Sequence, residues 1–134
     1  MAAIREFIDK IDHRSLQIDI HSEGLDGKLN PDTETVLYRV IQESVNNVIK
    51  HSEANRLDIS FINDTDGVSV TVEDNGKGFN TTNTSHFAGI GLKNMKTRIE
   101  YLRGTIEWNS GEGNGTLVAI HIPANGITGY RQVV

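Results

Sequence analysis

Glu43, Asn47 and Lys50 stand at i, i+4 and i+7. On a helix that spacing lines up a carboxylate, an amide and an ammonium along one stripe. Asparagine is a poor residue for a helix interior, and Asn46-Asn47 sets two side by side. One reading of the stripe is a solvated face with a Glu43–Lys50 attraction along it. The other is a surface turned toward a metal-bound polyphosphate. An amide oxygen suits Mg²⁺ as a hard ligand, and a lysine suits phosphate as a point charge.

Three further segments could do chemistry. Asp74-Asn75-Gly76-Lys77-Gly78-Phe79 follows an alternating apolar run. It reads as a tight turn, or as an acceptor carboxylate at the base of a pocket whose glycines let a flat ligand approach the backbone. Such a carboxylate accepts the exocyclic amine proton of adenine, a charged hydrogen bond of about 1.5–3 kcal/mol. Gly89-Ile90-Gly91-Leu92 precedes a helical pattern, where backbone N–H groups and the helix dipole favour phosphate, with Lys93 as an added cation. Without a ligand it is an ordinary glycine turn. Ser110-Gly111-Glu112-Gly113-Asn114-Gly115-Thr116 is a hairpin turn whose threonine, at the start of a strand, can reach a ligand held by Asp74.

The elements that must position these residues follow from periodicity. Ile4, Phe7, Ile8 and Ile11 give a short amphipathic helix over Ala2–Asp12. Leu16, Ile18 and Ile20 alternate as a strand. Asn30-Pro31 opens a long helix over about Pro31–His51, with Val36, Leu37, Val40, Ile41, Val45, Val48 and Ile49 as its apolar face. Leu57, Ile59 and Phe61, then Val68, Val70 and Val72, flank a turn at Asp64–Gly67 and make a hairpin. Asp74–Ala88 is a loop. Leu92, Met95, Ile99 and Leu102 mark a helix with Gly104 as its C-cap. Strands begin at Ile106 and Thr116. The order α-β-α-β-β-loop-α-β-β is that of a two-layer α+β sandwich, a largely antiparallel sheet covered on one face by helices.

Composition narrows the function classes. The chain has 134 residues, 37% of them hydrophobic and 23% charged, which suits one globular domain. It lacks cysteine, which excludes disulfide scaffolds, thiolate metal sites and cysteine nucleophiles. The net charge of −5 argues against a general nucleic-acid binder. The sequence holds neither an apolar run near the roughly 18 residues of a membrane span nor a signal peptide, and a cytoplasmic location is expected without direct membrane contact. Glycine is in excess, and eight of the 13 crowd into positions 76–115.

Taken in order, the four elements resemble the nucleotide-binding boxes of the histidine kinase ATP-binding domain, whose fold is shared with gyrase-type and heat-shock chaperone ATPases. Gln42–His51 resembles the asparagine box, Asp74–Phe79 the first glycine box, Gly89–Met95 the second, and Gly113–Thr116 the final glycine–threonine element. Glu43, Lys50-His51 and a short Phe79–Ala88 segment are similar to the subgroup of nitrate sensors and membrane-fluidity thermosensor kinases. The resemblance spans about Leu16 to Pro123 and implies a mixed sheet of the Bergerat type.

It also implies roles, with ATP and Mg²⁺ as cofactors. Asn47 would bind Mg²⁺ bridging the phosphates. Glu43 would orient the metal's water shell or a reacting group. Lys50, with His51 and Lys93, would contact phosphates. Asp74 would recognise the adenine amine, with Gly76 and Gly78 allowing close approach and Thr116 assisting. Gly89, Gly91 and Leu92 would present the second glycine box, and Asn80–Ala88 would be a mobile lid. Phosphoryl transfer depends on positioning and charge neutralisation, so this sparse set is sufficient.

The chain departs from a complete sensor kinase. Such a kinase carries a phosphate-accepting histidine, usually followed by an acidic residue. Here His13, His21, His51, His86 and His121 precede Arg14, Ser22, Ser52, Phe87 and Ile122. The reading is therefore an excised catalytic domain. Residues 1–14 form a run-in helix from a missing dimerisation domain, 15–123 form the ATP-binding domain, and 124–134 form a tail. Its expected partners are ATP or ADP, the histidine-containing dimerisation domain and a downstream response regulator. The alternatives are an anti-sigma-factor serine kinase of the same fold and a non-catalytic nucleotide-binding module. A type II topoisomerase or mismatch-repair ATPase would need a longer lid and a transducer domain.

Overall fold

A computed structural model of the chain describes residues 2–10, 16–24, 29–78 and 91–124. Of the sequence expectations, the Asn80–Ala88 lid, Gly89, residues 11–14 of the run-in, His13, His86 and the tail beyond 124 lie outside the described residues.

The elements run α1 (Ala2–Asp9), β1 (Gln17–Glu23), α2 (Pro31–Asn47), a π-turn (Val48–Ser52), β2 (Arg56–Asp64), β3 (Gly67–Asp74), α3 (Leu92–Tyr101), β4 (Thr105–Ser110) and β5 (Thr116–Pro123). The five strands form one sheet in the order β1-β2-β3-β5-β4. β2–β3, β3–β5 and β4–β5 pair antiparallel, while β1 lies parallel to β2 with Ile18 opposite Leu57 and Ile20 opposite Ile59. The sheet is thus mixed, and the fold is the α+β sandwich expected.

The period-2 pattern decides which face is covered. Leu57, Ile59 and Phe61 of β2, Val68, Val70 and Val72 of β3, and Val118, Ile120 and Ile122 of β5 are all buried. Their alternates Ser60, Thr71 and Ala119 are half-buried on the open face. Onto the apolar face pack Leu37, Val40, Ile41 and Val45 from α2, Leu92, Met95 and Ile99 from α3, and Ile4 and Ile8 from α1. Each fully buried leucine, isoleucine or phenylalanine contributes about 1.5–3 kcal/mol over its exposed state. The Phe7 ring meets Tyr38 edge-on with centroids 6.2 Å apart, which joins α1 to α2.

Helix starts follow local chemistry. The Asn30 side chain accepts the Asp32 N–H at 2.8 Å, Pro31 fills the first helical position, and Asp32 and Glu34 sit in the positive first turn. Three details depart from the sequence reading. Regular α-helix stops at Asn47, and the last turn of the expected helix, Val48–Ser52, is a wide π-turn ended by Glu53 at φ 57°. Ile49, expected on the apolar face, is 48% exposed there. At the end of α3 it is Arg103 that takes positive φ (61°), whereas Gly104 does not. Gly104 is required instead by packing, since a Cβ there would come within 2.6 Å of the His121 carbonyl oxygen. Among the described residues no helix is long and apolar enough to cross a membrane.

Candidate functional site

β3 ends inside the sandwich at Asp74, a carboxylate only 7% exposed. Burial raises its pKa above the ordinary carboxylate value of 3.8, and the charge of Glu73 adds to that shift; the backbone N–H groups of Gly76 and Thr116 donate to it and oppose the shift. The Gly76 N–H lies 2.8 Å from Asp74 Oδ1. Both oxygens of an ionised carboxylate have more than one acceptor direction, so capacity remains for a ligand donor.

Three loops are stapled together beneath this carboxylate. The Asn75 side chain accepts the backbone N–H of Asn55 and of Arg56, each at 3.1 Å, and donates to Asn55 Oδ1 at 2.7 Å. The Lys77 N–H donates to the Ser52 carbonyl at 2.7 Å, and the Lys77 carbonyl accepts the Gly113 N–H. Gly78 has φ 68°, and a Cβ there would strike the Gly111 carbonyl; a Cβ at Gly76 would strike the Ser52 carbonyl. Glycine is needed at both positions because backbone meets backbone.

Above the carboxylate opens a cleft of about 110 Å³. Ser44, Asn47, Val48, His51 and Ser52 form one wall, a single stripe of α2 and the π-turn. Leu92 and Met95 of α3 form another, and Val72, Trp108, Val118 and Thr116 come from the sheet. A mostly apolar slot with one buried acceptor carboxylate suits a flat, largely apolar ligand that carries a hydrogen-bond donor on one edge. Thr116 faces Asp74 as its register partner, and its hydroxyl lies 2.7 Å from Ser110 Oγ.

Of the residues singled out from sequence, Asn47, His51, Asp74, Gly78, Leu92 and Thr116 line the cleft together. Gly76 lies beneath it, against Ser52. Gly91 caps α3 at φ 75°, and Glu43 Oε1 occupies the space a Cβ at Gly91 would need. Lys50 and Lys93 are exposed side chains outside the cleft lining. The ion pairs among the described residues do not join Glu43 to Lys50. The cleft also uses Ser44, Ser52, Lys77 and Trp108, which were not singled out. Ser44 carried a signal, since it falls at i−3 from Asn47 on the same helical face; Ser52, at i+5, reaches that wall only through the π-turn. Trp108 carried none beyond strand alternation.

Among the described residues no three His, Asp or Glu side chains converge as a ligand set of their own. Asn47, half-buried and on the cleft wall, supplies one hard oxygen, which fits a cation held mainly by the oxygens of a bound polyphosphate and by water.

A family profile described as histidine kinase-, DNA gyrase B-, and HSP90-like ATPase matches residues 32–126. The sensor histidine kinase MctS of Rhizobium johnstonii is 36% identical over 107 residues, covering 78% of this chain and 23% of that protein. The signal transduction histidine-protein kinase/phosphatase DegS of Bacillus subtilis is 32% identical over 126 residues, covering 90% of this chain and 33% of that protein. The chain therefore spans about a quarter to a third of the length of these curated relatives. The histidine kinase domain of the Erythrobacter litoralis EL346 blue-light activated histidine kinase superposes with a TM-score of 0.74 at 20% identity, over 95% of this chain and 59% of that one. The ATP binding domain of PrrB from Mycobacterium tuberculosis superposes with a TM-score of 0.67 at 17% identity, over 91% of this chain and 88% of that one. With the fold, the buried Asp74 and the cleft around it in the matched segment, the chain belongs to the family of histidine kinase-, DNA gyrase B- and HSP90-like ATPases.

Proposed function

We propose that this chain binds Mg-ATP and transfers its γ-phosphoryl group to a histidine on a separate dimerisation domain, as the catalytic part of a two-component signalling kinase. The observation that carries this reading is the placement of Asp74, a buried acceptor in the lining of a mostly apolar cleft beside Gly78. Adenine enters with its amine toward Asp74 and its faces between the apolar walls. The sugar and phosphates then run toward Asn47 and His51 on the α2 wall, and toward the positive N-terminal end of α3 at Gly91. Mg²⁺, when bound, neutralises phosphate charge in a reaction that depends on positioning and electrostatics. Asn47 would hold it through the amide oxygen, and Glu43, beside Gly91, would orient its water shell or a reacting group. In the transfer the histidine nitrogen bonds to the γ-phosphorus as the bond to the bridging oxygen breaks, and ADP departs. A response regulator would take the phosphoryl group next.

The test supplies radiolabelled ATP, Mg²⁺ and a separate histidine-containing dimerisation domain to the chain. Label on the acceptor that is lost in acid, as a phosphohistidine is, supports the reading, and Asn47→Ala removes the transfer. Acid-stable label on a serine points to the serine kinase alternative, and absence of Mg-dependent transfer contradicts the reading.

A further inference from the structure

Asp74, Thr116 and Ser110 form one row across three strands. Asp74 of β3 is the register partner of Thr116 of β5, and Thr116 is the register partner of Ser110 of β4. Ser110 Oγ lies 3.1 Å from the Gly115 carbonyl and 2.7 Å from Thr116 Oγ1. A carbonyl has no proton to give, so Ser110 is the donor in the first contact. A hydroxyl has a single proton, so the second contact must carry the proton of Thr116. Gly115 sits at φ 72°, and a Cβ there would strike the Asp74 carbonyl oxygen, so glycine is required beside the Asp74 backbone. With the Ser110 proton directed to that carbonyl, the proton between the two hydroxyls is that of Thr116.

We propose that Ser110 is a positioning residue for base recognition: by taking the proton of Thr116, it turns the Thr116 oxygen into a fixed acceptor beside Asp74. This rests on the reading of Asp74 as the base-recognising carboxylate. Two neighbouring acceptors at the floor of a cleft select an edge that presents N–H donors there, as the exocyclic amine of adenine does. A carbonyl at the same place, as in hypoxanthine, meets lone pairs on both sides. Without Ser110 the Thr116 hydroxyl is released to turn and donate to that carbonyl, so the preference for the amine narrows. Ser110 touches no ligand in this scheme and acts through Thr116.

The test is calorimetric titration of the chain with ADP and with IDP, read as the ratio of the two dissociation constants. A loss of folded protein affects both titrations alike and leaves the ratio unmoved. Ser110→Ala is expected to reduce the preference for ADP by about 3- to 10-fold, the range that one neutral hydrogen bond carries. Ser110→Thr, which keeps the hydroxyl, is expected to retain the preference. In a Thr116→Val background Ser110→Ala is expected to leave the ratio unchanged. A wild-type ratio in Ser110→Ala, with ADP binding lost in Asp74→Asn, overturns the role of Ser110 and leaves the base-recognition reading standing. Wild-type ADP affinity in Asp74→Asn overturns that reading, and this inference with it.

Discussion

Glu43 Oε1 lies in the space that a Cβ at Gly91 would fill, so the polar stripe of α2 and the first residue before α3 interlock through a missing side chain. Gly91 is doubly constrained, because its φ of 75° is also one that L-residues avoid. A single glycine thus takes the left-handed turn into α3 and leaves room for the Glu43 carboxylate.

Gly91→Ala is expected to cost about 1–2 kcal/mol from the left-handed backbone alone, and to push Glu43 from its place. Thermal unfolding will show the stability loss, and a phosphoryl-transfer assay a fall of at least about tenfold, the scale of 1.4 kcal/mol at a barrier. The cycle with Glu43→Ala isolates the contact, since the alanine at 91 then harms transfer less. Equal losses in both backgrounds would mean that Glu43 has no part in the effect.

Asp74 gives nucleotide binding a pH dependence. Its folded-state pKa is raised above 3.8, first by burial. As pH falls, Asp74 takes up a proton at a higher pH than an exposed aspartate, and the acceptor for the adenine amine disappears. ADP affinity is therefore expected to decline on acidification in wild type, above the pH where ordinary carboxylates titrate, and Asp74→Asn is expected to lack that limb. Stability moves the opposite way. The contribution of a raised acid is fully present below the unfolded pKa and is lost as pH rises through the folded one. At pH 7 Asp74→Asn is therefore expected to melt no lower than wild type while binding nucleotide worse.

Asn75 is predicted to matter for the platform rather than for the ligand. Its side-chain oxygen takes two backbone N–H groups, of Asn55 and Arg56. Asn75→Ala is expected to lower stability by about 1.5–4 kcal/mol, the loss of three modest hydrogen bonds, two accepted and one donated to Asn55. Asn75→Asp, which keeps the acceptor, should lose less. Denaturant unfolding checks the order of the three proteins.

His51 and Lys50 are adjacent in sequence but differ in placement. His51 lines the cleft and Lys50 does not. His51→Ala is expected to weaken ATP binding more than Lys50→Ala does. The reverse order in calorimetry would show that Lys50 swings inward when phosphate arrives.

The two-layer architecture was legible because its signals are local. Alternation in Leu57–Phe61 and Val68–Val72 and the apolar stripe from Leu37 to Val45 are set by residues within a few positions of one another. The parallel seating of β1 on β2 was not legible from alternation, since that pattern is the same for either strand direction. The π-turn was hidden because Val48 and Ile49 continue the apolar pattern of α2, so only the structure shows Ile49 exposed and His51 on the cleft wall. At the site, the Asp74 and Thr116 motifs could be found from residue type and position. Trp108 and Ser110 could not, because their roles come from a strand pairing that joins distant segments. Gly104 stands where a helix cap is expected, but the left-handed backbone falls on Arg103, and packing against β5 explains the glycine instead.

The most direct test of the account is the affinity of Asp74→Asn for ADP by calorimetry. The variant keeps the shape of the side chain but replaces an acceptor oxygen with a donor, so it should fold and still fail to hold the adenine amine. The account predicts binding at least about tenfold weaker, the scale of one charged hydrogen bond. An affinity equal to that of wild type would contradict it.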